Sequence, residues 1–87
     1  MLKLFSYFSK LVCSTRDETN SSKKNEIYGK PCIFPWIDHY TNLTHPGCAN
    51  PDQDEGGLWC PTEVDENGYF WRGWGYCDEN CNYISRT

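Results

Sequence analysis

The sequence predicts a small disulfide-rich domain of short strands and large irregular loops. Three observations predict it. Six cysteines, Cys13, Cys32, Cys48, Cys60, Cys77 and Cys81, fall within 87 residues. In a short chain that density signals a disulfide framework made in an oxidising compartment. Hydrophobic residues make up 38%, below the globular norm. Burial contributes about 25 cal/mol per Å2 against roughly 1.5 kcal/mol for ordering each residue, so an apolar core alone barely balances in one domain this small. Finally, turn formers crowd the middle of the chain: Gly29-Lys30-Pro31, His45-Pro46-Gly47, Asn50-Pro51-Asp52, Gly56-Gly57 and Asn67-Gly68. No ten-residue stretch keeps a helical period, and the intervals between turns suit short strands.

Residues 1–14, "MLKLFSYFSKLVCS", read as a weak signal peptide. Lys3 precedes an apolar run that Ser6, Ser9 and Lys10 interrupt, and Val12 and Ser14 are small residues suited to a cut after Ser14. The alternatives are a non-native start, or a short amphipathic helix with Leu4, Phe8 and Leu11 on one face. No run of 18 apolar residues occurs, so no membrane-spanning helix is expected. Residues 15–27 are polar and read as a linker, with Lys23 and Lys24 solvated. Residues 28–81 form the expected domain, and the tail at 82–87 is too short to pack much. Within the domain, Asn67-Gly68 is a hairpin signal because both residues tolerate positive φ. A two-residue loop there sets Glu66 opposite Tyr69 and Val64 opposite Trp71.

Charge is unevenly spread. Residues 1–30 hold six Lys/Arg and three Asp/Glu, whereas residues 31–87 hold two and nine. The cysteine-rich part is therefore acidic. It lacks the basic footprint that phosphate backbones require, which argues against nucleic acid and anionic membranes as partners. The sequons Asn20-Ser21-Ser22 and Asn42-Leu43-Thr44 mark Asn20 and Asn42 for glycosylation and agree with secretion.

Ten aromatics lie between Tyr28 and Cys77. A ring buries about 150–250 Å2, and so small a domain cannot hide them all. The surplus is expected to form an exposed patch, and such patches mark binding sites. The candidate pocket residues are Trp36, Trp59, Tyr69, Trp74 and Tyr76. Trp59 and Trp74 stand near cysteines and also suit packing over sulfur. Aromatic grooves take polyproline-type segments, and ring faces hold cations at about 0.5–2 kcal/mol per contact. The acidic surround, Asp52, Asp54, Glu55, Glu63, Asp65 and Glu66, favours a cationic ligand, its plainer reading being a solvated loop face.

Rival chemistries fit less well. The run from Asp52 nearly matches a calcium loop through Asp54, Gly57 and Glu63, but Gly56 offers no ligand oxygen at the fifth place. Zinc sites use paired close cysteines, and Cys77-x3-Cys81 has no mirror pair. His39 or His45 could serve a nucleophile as base, yet the chain has little mass for a rigid catalytic pocket. No metal, cofactor or enzymatic activity is expected.

The strongest pattern is Cys32-Ile33-Phe34-Pro35-Trp36, then Cys48, then Trp59-Cys60, then Trp74-Gly75-Tyr76-Cys77. Over residues 28–77 it resembles the fibronectin type II domain of the kringle-like group. A further cysteine soon after the fourth, here Cys81, resembles invertebrate variants that accompany serine proteases. The resemblance implies two short antiparallel sheets with large loops, a shallow aromatic pocket, and the pairs Cys32–Cys60 and Cys48–Cys77. It implies an extracellular, non-catalytic module for collagen-like, gelatin-like or glycoprotein ligands. Its alternatives are an accessory module of a secreted serine protease and a choline-headgroup binder. If residues 1–14 stay, Cys13 and Cys81 can form a third bridge. If they are removed, Cys81 is left to pair with another chain or another domain of a larger secreted protein.

Overall fold

Four short strands and three disulfides build the structure, a computed structural model that describes residues 13–20, 23–79 and 81. Residues 1–12 of the expected leader, Ser21 and Ser22 of the first sequon, and the 82–87 tail lie outside the described residues. Strand β1 (Trp36–Ile37) pairs antiparallel with β2 (Thr44–His45), and β3 (Trp59–Val64) pairs antiparallel with β4 (Phe70–Tyr76). No helix occurs among the described residues. The fold class is thus the one expected: disulfide-rich, with two short antiparallel sheets and long loops.

The β1–β2 turn is organised by Asp38. Its Oδ1 accepts the amides of Tyr40 (2.8 Å) and Thr41 (2.6 Å). Its Oδ2 accepts the Thr41 hydroxyl and meets His45 Nε2, each at 2.6 Å. The carboxylate is almost wholly buried, so these partners replace the water it has lost. The His45 ring then packs against Trp36 at 4.7 Å between centroids.

The β3–β4 hairpin departs from the two-residue loop expected at Asn67-Gly68. The Asp65 amide donates to the Tyr69 carbonyl (2.9 Å), which leaves residues 66–68 as a three-residue loop with Gly68 at φ 91°. Asp65 Oδ1 also accepts the amides of Asn67 and Tyr69, both at 2.9 Å. An Asp side chain that closes its own turn in this way competes with the shorter loop. Val64 therefore faces Phe70, and a bulge separates it from the Glu63–Arg72 pair. A one-residue slip exchanges the faces of a strand. Phe70, and not Trp71, consequently joins Trp74 on the inner side.

The core has two parts, one of sulfur and one of rings. The bridges are Cys13–Cys81, Cys32–Cys60 and Cys48–Cys77. Cys48 Sγ lies 3.5 Å from the sulfurs of both Cys13 and Cys81, so two bridges pack on each other. In the chain-entropy picture, the 68-residue separation of the first contributes about 4 kcal/mol, and the separations of 28 and 29 about 3.5 kcal/mol each. The segment around the first bridge is stitched to β4. Arg16 donates its amide to the Tyr76 carbonyl and Ile27 to that of Trp74, each at 2.8 Å. The approach is close enough that a Cβ on Gly75 would meet the Ile27 carbonyl oxygen and the Thr15 side chain.

Candidate ligand-binding cleft

Strand β4 and the loop before β3 together frame a cleft of about 240 Å3 lined by Tyr40, Asp52, Asp54, Trp59, Phe70 and Trp74. The rings interlock edge to face. Trp59 meets Phe70 at 5.5 Å and Trp74 at 6.3 Å, and Trp74 meets Tyr76 at 5.1 Å. Edge-to-face packing holds each ring in one orientation and contributes beyond its buried area. Trp36 stands behind Trp59 at 4.8 Å with no exposed surface, its indole donating to the Gly47 carbonyl at 2.9 Å.

The carboxylates are placed by a small turn. The Asn50 side chain accepts the Asp54 amide (2.7 Å) and donates to the Asp54 carbonyl (2.8 Å), closing residues 50–54 into a loop. Asp52 Oδ1 then accepts the Trp59 indole N–H at 3.0 Å. Asp54 Oδ1 accepts the Gly56 amide and the Tyr76 hydroxyl, both at 2.8 Å. The second oxygen of each carboxylate has no hydrogen-bond donor among the described residues. Lys23, paired with the nearby Glu55 at 2.7 Å, also favours the charged form of Asp54, while Asp52 has no ion-pair partner among the described residues.

These contacts set the ionisation. The Gly56 amide, and after it the Tyr76 hydroxyl, hold Asp54 below the usual carboxylate range despite its partial burial. Burial, and then the bond to Asp54, push the Tyr76 phenol up to about 12. At neutral pH the site therefore presents a charged carboxylate fixed by a neutral phenol. Carboxylates that share a cleft with aromatic rings favour a cationic over an anionic ligand.

Of the candidate residues from sequence, Trp59 and Trp74 form the cleft wall. Trp36 lies wholly behind it, so its indole serves as backing. Tyr76 is buried too and reaches the cleft through its bond to Asp54. Tyr69 is stacked on His39 at 5.2 Å and is not part of the lining. Phe70 and Tyr40 line the cleft without having been singled out. The hairpin register places the first, and the Asp38-capped turn places the second. Two other hollows, of about 300 and 400 Å3, contain no tryptophan or phenylalanine. Trp71, 58% exposed, stacks under Arg72 outside the cleft. All six cysteines are oxidised, so none offers a thiolate to a metal.

No family model matches the chain, and no solved structure matches it. The chain is 29% identical over 72 residues, 78% of its length, to the secretory phospholipase A2 receptor of Oryctolagus cuniculus. It spans 4% of that receptor.

Proposed function

We propose that the chain is a secreted, non-catalytic recognition module of the fibronectin type II kind, and that the Trp59–Phe70–Trp74 cleft takes a cationic group of an extracellular protein. The carrying observation is the pair of carboxylates, Asp52 and Asp54, that line one cleft with Trp59, Phe70 and Trp74. The cleft volume suits one side chain or one headgroup, since larger ligands need roughly 300–1,000 Å3. A collagen- or gelatin-like strand meets both demands. Its extended backbone arrives with little entropy left to lose, and its lysines and arginines supply the cation. The three bridges and the likeness to part of a large receptor support the extracellular setting and a role inside larger proteins. A choline-type headgroup is the second reading, favoured by the same ring-and-carboxylate arrangement.

Titration with gelatin, followed by tryptophan fluorescence, tests this. Binding is expected to weaken about 10–100-fold in Asp54→Asn, the range set by a charge-assisted bond. Gelatin with acetylated lysines and blocked arginines is expected to bind with a similar loss. Equal affinity for native and blocked gelatin would overturn the cationic reading. Saturable binding of phosphocholine without gelatin binding would favour the headgroup instead.

A further inference from the structure

The β1–β2 turn displays an aromatic ring, a leucine and an asparagine side by side, all exposed. Tyr40 is 70% and Leu43 52% accessible. Between them Asn42 holds φ 61°, its amide bonded to the Asp38 carbonyl at 3.1 Å. Its side-chain amide has no partner among the described residues, in contrast to Asn50, whose amide is used twice. Thr44, at the start of β2, is exposed and completes the sequon. Asp38 braces the turn by accepting the Tyr40 and Thr41 amides on its side chain and the Asn42 amide on its carbonyl, which fixes the backbone that carries Tyr40 and Asn42 two positions apart.

We infer that Asn42 carries an N-linked glycan whose first sugar packs on the Tyr40 ring and fixes the β1–β2 turn. In the reaction, Asn42 Nδ2 bonds to the anomeric carbon of a lipid-diphosphate oligosaccharide. The bond from that carbon to the phosphate oxygen breaks, the lipid diphosphate departs, and the amide loses one proton to the transferase. The apolar C–H face of N-acetylglucosamine matches a tyrosine face, and covering Tyr40 and Leu43 removes apolar area from water. Tyr40 also lines the cleft, so a sugar on its outer side becomes part of the rim. The inference rests on the extracellular reading, because the sugar donor is met in the secretory pathway.

The full chain is expressed in mammalian cells behind a heterologous leader, which supplies entry to that pathway. Absence of sugar then counts against this inference and not against the extracellular reading. Glycopeptide mapping is expected to find Asn42 occupied. Thermal melts of four forms, the parent, Tyr40→Ala, Thr44→Ala and the double variant, make a cycle that isolates the sugar–ring contact. The glycan is expected to raise Tm on the order of 5 °C when Tyr40 is present and far less when it is Ala. Tyr40→Phe, which keeps the ring, is expected to preserve the gain. An empty Asn42, or a gain that survives Tyr40→Ala unchanged, overturns the inference.

Discussion

Asp38 shows how one side chain can set both a turn and a pH limit. Burial opposes its ionisation, but the Thr41 hydroxyl and amide, His45 and the Tyr40 amide outweigh this and bring it down to about 2. A carboxyl held below its unfolded value stabilises the fold above the unfolded pKa and ceases to do so as pH falls through the folded one. The contribution is therefore full above about pH 4 and lost between about pH 4 and pH 2. It amounts to about 2 kcal/mol. Urea denaturation across pH 2–6 is expected to show that slope, and Asp38→Asn to flatten it while lowering stability at pH 6 by about 2–3 kcal/mol. In the sequence, Asp38 is simply an acid in a loop. Nothing in its neighbours reveals that Thr41 and His45 will converge on it, because the β1–β2 pairing that brings His45 back is two residues long.

At the scale of elements, the sequence told more about type than about register. Turn formers at Gly56-Gly57 and Asn67-Gly68 do bound β3 and β4. The hairpin register was not legible, because Asp65 closes a longer loop with its own side chain and moves Phe70 into the place where Trp71 was expected. That slip also bears on which rings line the cleft. Trp59 and Trp74 line the cleft although their nearness to cysteines equally suits packing over sulfur, while Phe70 follows only from the bulge. Trp36 and Tyr76 illustrate the other difficulty: composition shows that there are surplus rings, not which of them are surplus. The strand β4 yields its own prediction. Gly75→Ala forces a methyl against the Ile27 carbonyl oxygen, and backbone cannot rotate away as a side chain can. A loss of about 1–3 kcal/mol is expected by denaturant titration. Hydrogen exchange at the Ile27 amide, which bonds the Trp74 carbonyl, is expected to rise with it.

For the whole molecule, sulfur and rings divide the labour. Two bridges packed on each other belong to one cluster of the core, interlocked aromatics make the other, and Phe34 packs against both. A chain with so little aliphatic interior can keep a ring-walled cleft open only because covalent links hold its loops in place. Six cysteines announced that much. The sequence did not announce how the acids would be arranged: of the six acidic residues noted around the aromatic run, Asp52 and Asp54 alone line the cleft, and Glu55 is neutralised by Lys23. The net charge of −4 is thus less informative than the two carboxylates fixed by Trp59 and Tyr76. The most direct measurement compares n-butylammonium with n-butanol, which share a chain and differ in charge, by tryptophan fluorescence at low salt. A cation-selective cleft gives saturable change with the ammonium and none with the alcohol, and Asp54→Asn diminishes it. Equal response to both probes, or silence with the ammonium, would contradict the assignment of this cleft as a cation site.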